Sequence, residues 1–466
     1  MLGIVLQRHS EISLARQIYQ LLREQMTTGQ LQPGELLPST RELAKQLAVS
    51  RNTTYEAYEM LSAEGYTVSR PGSPTRVADG LCLEKSTPSQ GNSQQTTRPS
   101  YEYLADFRTG RPDLRRFPRH LWLQLLRKAA EDFAPDHWGY SGPDGLPLLR
   151  EEIAAWLLRS RGLSVEPQDI FITAGATQAL YLLGGLLSGE NQEILVEDPC
   201  HMGMLRVLQE KKFKIRPIPV DKLGMQTAYL QGKGACAVYV TPSHQFPLGG
   251  ILPANRRTEL IRFARDNDLF IIEDDYDSEF RYSGTPVAPL YSMDAERVIY
   301  VGTFSKILFP ALRIGYVVLP AQLHNRWRYL RTHNDVQNPP FEQAALAEYL
   351  HNRKLDRHVQ QMRRLYGQRR QTLLQTLEEL FGKTWLPWGD AAGLHLVLEF
   401  PGKHFDHNFA QLGKQQGIHV TPVDYHSICK GVHLSKLALG YGHLDAAGIR
   451  QGLLLLQKHI ATYSSD

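Results

Sequence analysis

Lys306 closes the run Gly302-Thr303-Phe304-Ser305-Lys306, which follows an apolar stretch ending at Val301. A lysine at a strand end can form a Schiff base with an aldehyde cofactor, and the hydroxyls of Thr303 and Ser305 beside it can hold a phosphate. A Ser-Lys pair alone is common and most often marks a surface loop. Three further segments change that reading. Glu273-Asp274-Asp275-Tyr276 ends a run of Leu, Phe and Ile. A carboxylate there can keep a pyridine nitrogen protonated, which makes the ring an electron sink. Arg313, seven residues after Lys306, offers a planar fork for phosphate. Thr173-Ala-Gly175-Ala176-Thr177-Gln178 leaves another apolar run and opens a helix, whose free N–H groups and dipole favour an anion. Any one charged residue here reads as half of a structural ion pair. All four segments at strand ends, in this order, are not explained that way.

A second group of residues suits DNA. A helix-turn-helix reads sequence by laying the second of its paired helices in the major groove, with that helix's N-terminal residues at the base edges. Here the helix begins Ser50-Arg51-Asn52-Thr53. It carries one bidentate donor, one amide and hydroxyls fit for base and phosphate contacts. Arg41 starts the preceding helix, where it can clamp a phosphate. Gly72 lies where a wing tip would bring backbone to the minor groove. Taken singly, each is as well read as a solvated polar residue at a helix start.

Stepping outward, periodicity supplies the elements that must position these groups. Leu14, Ile18, Leu21 and Leu22 recur at helical spacing, and Gly29 closes the segment. Ser39 caps a second helix with Glu42 as its capping-box partner. A third helix runs from Arg51 to about Glu64, ending at Gly65. Short strands follow at Tyr66–Ser69 and Thr75–Ala78, giving helix, helix, turn, helix and a two-stranded wing. Residues from about Asp79 to Ser100 are rich in Ser, Thr, Gln, Pro and Gly, a composition that reads as a flexible linker. Beyond it, strand candidates Ile170–Thr173, Ile194–Val196, Ala237–Thr241, Leu269–Ile272, Val298–Val301 and Ile314–Leu319 alternate with helical stretches. That pattern predicts a mostly parallel sheet covered on both faces. Helices dominate after about Asn334, and a smaller strand-bearing unit is expected around Leu394–Phe400 and Lys436–Tyr441. The expected division is 1–79, a linker at 80–104, and 105–466.

Length and composition set the limits. The chain has 466 residues, 42% hydrophobic and 21% charged, ordinary for a globular protein of two to three domains. It contains no run of about 18 apolar residues, the length of a membrane span, and its start lacks a signal-peptide core. Its four cysteines are scattered without a C-x-x-C pair, which reads as reduced thiols in a cytoplasmic protein. A net charge of +4, with acids and bases roughly balanced before residue 80, does not meet the simple basic-domain criterion for DNA binding.

Two resemblances sharpen this reading. Gln32-Pro-Gly-Glu-Leu-Leu-Pro-Ser-Thr-Arg41 through Ser50-Arg51-Asn-Thr closely resembles the GntR-family winged helix, and Glu64-Gly65-Tyr66 and Gly72-Ser73-Pro74-Thr75 match its wing. The resemblance implies DNA contacts by Arg41, Arg51, Asn52, Thr53 and Gly72, with Ser50 as a cap. The remainder resembles a fold-type I aminotransferase, and the whole chain resembles the MocR/GabR group of regulators. Phe117-Pro118, Tyr140-Ser-Gly-Pro-Asp-Gly145, Arg161-Gly162 and Thr241-Pro-Ser-His244-Gln-Phe-Pro247 carry that likeness. It implies a multidomain chain, a winged helix-turn-helix joined to an α/β pyridoxal-phosphate-dependent transferase fold with a smaller α+β C-terminal domain. Pyridoxal 5'-phosphate is the implied cofactor, with Lys306 as its internal aldimine, Asp274 at the pyridine nitrogen and Tyr276 at the ring hydroxyl. Ala176, Thr177, Thr303, Ser305 and Arg313 would take the phosphate.

Three positions depart from the pattern. His201 stands where the family usually stacks a Tyr on the ring, and Phe246 stands where aminotransferases have an Asn before the Pro. Ala438 stands where they have an Arg for the substrate carboxylate, with Lys436 the nearby cation. The implied function is a DNA-binding transcription regulator that senses a small amine, amino acid or B6 vitamer through Lys306. The alternative is a working aminotransferase with a secondary DNA-binding head. The implied partners are a double-stranded DNA operator, the effector and a second copy of the chain, with no membrane.

Overall fold

A computed structural model describes residues 4–69, 73–80, 103–189, 192–231, 234–284, 287–389 and 391–463. The chain divides into two compact units, Met1–Pro99 and Ser100–Asp466, and the division falls within the stretch read as a linker.

The first unit is three helices and a small wing: α1 (Leu14–Thr27), α2 (Thr40–Leu47), α3 (Arg51–Ala63), β1 (Thr67–Val68) and β2 (Arg76–Val77). Ser39 caps α2 by accepting the Glu42 N–H at 3.2 Å. Ser50 caps α3 through the Thr53 N–H at 3.1 Å, as its type and place dictate. Ile18, Leu22, Leu43, Ala57 and Leu61 are fully buried together, which sets the packing of the three helices. β1 and β2 pair antiparallel. Gly72 lies outside the described residues.

The second unit opens with β3 (Ala105–Asp106), α4 (Arg119–Asp132), α5 (Pro147–Arg161), β4 (Ile170–Thr173), α6 (Ala176–Leu186), β5 (Glu193–Asp198) and α7 (Met202–Glu210). It continues with β6 (Lys214–Asp221), β7 (Gly224–Met225), β8 (Ala235–Val240), α8 (Ala254–Asp266), β9 (Phe270–Asp275), β10 (Val298–Thr303) and β11 (Gly315–Val318). These strands form an eight-stranded sheet in the order β4-β11-β10-β9-β8-β5-β6-β7. Its central run is parallel, while β11 is antiparallel to both neighbours and β7 to β6. Both faces are buried, so the strands read as continuous apolar runs, yet period 2 still sorts them. Ile172, Ile271 and Tyr300 face one core with Trp156 of α5. Phe171, Ile272 and Ile299 face the other with Leu183 of α6 and Leu208 of α7.

β6 was not expected. Pro217 and Pro219 lack the N–H a ladder needs and argue against a strand. The structure accommodates them near the sheet edge, where β6 pairs with β5 and with only the two-residue β7.

The remaining helices α9 (His324–Asn334), α10 (Pro340–His351) and the long α11 (Lys354–Phe381) lead to a smaller C-terminal part. It holds β12 (Leu386–Trp388), β13 (His395–Glu399), α12 (His407–Gln415), β14 (Ile418–His419), β15 (Thr421–Pro422), β16 (Lys436–Gly440) and α13 (Ala446–Thr462). Four of its strands form an antiparallel sheet, β12-β13-β16-β15, while β14 pairs in parallel with β3. Among the described residues no helix is long and apolar enough to cross a membrane, and the described cysteines Cys200, Cys236 and Cys429 are free.

Candidate functional site

The acidic run at the end of β9 shows how the fold assigns one job per side chain. Glu273 accepts the backbone N–H groups of Leu290 and Tyr291 at 2.9 and 3.0 Å. Asp275 binds the Arg161 guanidinium at 2.9 Å and the Tyr300 hydroxyl at 2.7 Å. Asp277 meets His244 Nδ1 at 2.8 Å and the Leu394 N–H at 3.2 Å. Asp274, turned to the opposite face from Glu273 and Asp275 by the strand alternation, accepts the Tyr239 hydroxyl on Oδ2 at 2.6 Å. Its Oδ1 is buried with no partner. Of these four carboxylates Asp274 alone keeps such an oxygen. Burial pushes its carboxyl up to about 6, against the lowering effect of the Tyr239 bond. An unpaired buried acceptor needs a reason, and a cationic ring nitrogen supplies one.

Asp274 lines a cavity of about 250 Å³, as do all nine residues expected at a cofactor: Lys306, Asp274, Tyr276, Ala176, Thr177, His201, Thr303, Ser305 and Arg313. They arrive from four places in the sheet. The end of β10 carries Thr303, and Ser305 and Lys306 follow; the Ser305 N–H is held by Thr303 Oγ1 at 3.2 Å. Lys306 Nζ donates to Gly110 O at 2.8 Å. Burial lowers its pKa, with Asp277 and Asp274 opposing the shift, so the amine is easier to deprotonate than an exposed lysine. Gly175, at φ +85°, turns the chain from β4 into α6 and leaves the first N–H groups of that helix beside Ala176 and Thr177. Arg313 sits in the left-handed region at φ +51° and donates to Ala174 O. A Cβ on Gly175 would stand 3.2 Å from its guanidinium, so glycine lets the fork lie over the helix start. Hydroxyls, helix N–H groups and an arginine converge there, the donor set a phosphate needs. The residues present fit pyridoxal phosphate.

The departures from the aminotransferase pattern also have places. His201 lines the same cavity. Its pKa is lowered, by desolvation first and Lys306 second, although the residue is exposed in the single chain. Phe246 packs among four rings, with centroids 5.7 Å from His201, 5.9 Å from Tyr276, 5.5 Å from His395 and 5.0 Å from His426. Ala438 pairs with Val397 in register and is fully buried in an apolar cluster with Val220, Leu248 and Val423. Lys436 does not serve in its stead, because its ammonium is buried on Glu399 at 3.2 Å and lies over the Trp388 ring.

Gly110, Tyr239 and His395 also line the cavity and were not among the expected residues. Gly110 acts through its carbonyl, Tyr239 reads as ordinary core on an apolar strand, and His395 comes from a distant sheet. A larger cavity, about 580 Å³, lies in the C-terminal part between Arg108, Phe405, Lys414, His419 and His426 and contains none of the expected residues.

In the first unit, Arg41, Arg51 and Asn52 are exposed, while Thr53 is half-buried with its hydroxyl 2.8 Å from Ser50 Oγ. Among the described residues neither arginine has an ion-pair partner. Two contacts fix the angle at which α3 is presented. The buried Thr54 hydroxyl donates to Thr40 O at 2.8 Å, and the Tyr58 hydroxyl to Pro38 O at 2.8 Å.

Comparison with known proteins follows this division. Residues 14–77 match the gntR family of bacterial regulatory proteins, and residues 117–434 match aminotransferase class I and II. Over its length the chain is 34% identical to an uncharacterized HTH-type transcriptional regulator, YdeL of Bacillus subtilis, covering 97% of this chain and 98% of that one. It is 32% identical to the probable rhizopine catabolism regulatory protein MocR of Rhizobium meliloti, covering 99% and 97%. It is 37% identical to the pyridoxine biosynthesis transcriptional regulator PdxR of Corynebacterium glutamicum, covering 85% of each. Among solved structures it is similar to the kynurenine aminotransferase of Pyrococcus horikoshii in complex with PMP, with a TM-score of 0.72 and 27% identity over 79% of this chain and 93% of that one.

Proposed function

The chain belongs to the HTH-type transcriptional regulators that join a gntR-family head to an aminotransferase class I and II body, and from that premise we propose that pyridoxal phosphate in the body, and a small ligand that meets it there, governs DNA binding by the head. The observation that carries this is that Asp274, which keeps a buried oxygen without a partner, lines one cavity with Lys306. When bound, pyridoxal phosphate supplies an aldehyde and an electron-withdrawing ring. Asp274 would hold the ring nitrogen, Tyr276 the ring hydroxyl and Lys306 the aldehyde carbon. Thr303, Ser305, Arg313 and the start of α6 at Ala176 and Thr177 would hold the phosphate, with His201 against the ring. In the head, Arg41, Arg51, Asn52, Thr53 and Gly72 would read a repeated or palindromic operator in the cytoplasm. Regulation needs a ligand with different contacts in two states of the molecule. A homodimer is part of this reading, with Trp138 and Tyr140, 62% and 88% exposed, as candidate contacts.

The lining of the cavity narrows the ligand. Its cations are Lys306 and Arg313, with Arg313 on Ala174 O, and burial pushes His395 down to about 4. With Arg313 given to the phosphate and Lys306 to the aldehyde, a carboxylate entering here finds no further cation in the lining, and an unpaired buried charge is strongly disfavoured. The favoured effector is therefore an amine without an α-carboxylate, or a B6 vitamer. The test is footprinting and absorbance on the full chain. The expected result is a visible band that disappears in Lys306→Ala, and operator protection that changes with pyridoxal phosphate. Matched amines should perturb that band at lower concentration than the corresponding α-amino acids. Failure to take up pyridoxal phosphate overturns the cofactor reading. Steady release of product from an amino donor restores the aminotransferase alternative.

A further inference from the structure

Behind the cavity lies a buried pair that the roles above leave unused. His244 and Asp277 are each 2% exposed. His244 Nδ1 lies 2.8 Å from Asp277 Oδ1 and 3.1 Å from the Tyr276 hydroxyl oxygen. Asp277 Oδ2 takes the Leu394 N–H, and His244 Nε2 is buried with no partner. With His395 these groups are near enough to enclose a cation. The space is closed, however: a Cβ on Gly393 would stand 2.1 Å from His244 Cε1 and 2.6 Å from Asp277 Oδ2. His395 Nε2 is already committed to Pro247 O at 2.8 Å.

The contacts decide where a single ring proton sits. On Nε2 it would be a buried donor with nothing to receive it, and Nδ1 would turn a lone pair onto a carboxylate oxygen. On Nδ1 it faces Asp277 Oδ1 and the Tyr276 oxygen together. Tyr276 then accepts from the imidazole, so its own hydrogen must point elsewhere, and Tyr276 lines the cavity with Lys306 and Asp274. The chain Asp277–His244–Tyr276 thus gives the phenol a fixed direction.

We propose that His244, fixed by Asp277, is a positioning residue that makes Tyr276 a one-way hydrogen-bond donor to the ring oxygen of bound pyridoxal phosphate. This rests on the cofactor reading above. The charged and titratable groups that face Tyr276 and His244 are Asp274, Asp275, Asp277, Glu197, Lys306 and His395.

The test is the pH midpoint of the bound cofactor's visible band in the full-length protein. Two effects of Asp277→Asn have opposite signs. Losing a nearby negative charge, by itself, disfavours the protonated form and lowers the midpoint. Losing the oriented donor leaves the ring oxygen holding its proton more tightly and raises it. Asp277→Asn, His244→Phe and Tyr276→Phe are each expected to raise the midpoint by about one unit, a tenfold shift. Once Tyr276→Phe is present, Asp277→Asn should raise the midpoint no further, leaving only the lowering effect of the lost charge. His244→Asn, whose amide nitrogen can stand in for Nδ1, should restore most of the wild-type value. A midpoint that falls or stays put in Asp277→Asn, or a further rise on top of that of Tyr276→Phe, would overturn the proposal. A wild-type protein that takes up no pyridoxal phosphate overturns the cofactor reading and this proposal with it, whereas a loaded protein whose variants titrate alike overturns the relay alone.

Discussion

Asp274 shows what a single residue gives up to be ready for a ligand. Burial raises its carboxyl from the ordinary aspartate range to about 6, so the folded chain binds that proton more tightly than the unfolded chain does. Its contribution to stability is therefore present below the unfolded pKa and is lost as pH rises through about 6. A shift of roughly two units corresponds to at most about 3 kcal/mol. Glu197 and Glu273, each pushed up to about 7 by burial, act in the same direction. Asp274→Asn should make the cofactor-free protein melt higher than wild type at pH 8, with the gap closing towards pH 4, while cofactor uptake weakens. Thermal unfolding at the two pH values checks it; equal melting at both would refute the assignment. Asp274 was legible in the sequence because a carboxylate at the end of an apolar run is conspicuous. His244 and Asp277 were not, because their pairing joins segments 33 residues apart and only the fold brings them together.

At the scale of elements, the site depends on two backbones that touch. A Cβ on Gly315 would stand 2.9 Å from Gly175 Cα and 2.9 Å from Gly302 O, so β11 packs directly on the turn that opens α6. Gly315→Ala has no flexible side chain to displace. The expected cost is about 1–3 kcal/mol, with the start of α6 pushed off its place. Cofactor affinity should fall by about tenfold or more, since about 1.4 kcal/mol lost at the phosphate suffices. Equilibrium dialysis and melting temperature read both, and unchanged affinity would mean that the turn does not hold the phosphate. The helix caps Ser39 and Ser50 and the strands β4, β8, β9, β10 and β11 followed from local pattern, because capping and burial leave local marks. β6 did not, since its two prolines mimic a break, and the carbonyl of Gly110 carries no mark in its residue type.

At the scale of the whole molecule, DNA binding by the head and cofactor binding by the body are expected to be separable. Arg51→Ala is expected to weaken operator binding by about 1–3 kcal/mol and relax base preference. Arg41→Ala should weaken binding to all sequences alike and flatten the log–log salt dependence by about one. Neither should alter the cofactor band. Operator titrations at several salt concentrations distinguish the two, and a band that shifts in either variant would contradict the separation. One short strand bears on how the activities could be joined. Residues 105–110 enter the second unit from the side of the head in sequence. β3 is pinned to β14, and Phe107 O holds the Gly440 N–H at 2.7 Å. Gly110 O then holds the amine of Lys306. A Schiff base on Lys306 would leave its nitrogen at most one hydrogen in place of the ammonium's three, so the Gly110 carbonyl would have to compete for it. The stretch is at most roughly 20 Å long, clamped midway on the C-terminal part through β14 and Gly440, and it ends on the amine that the cofactor would take.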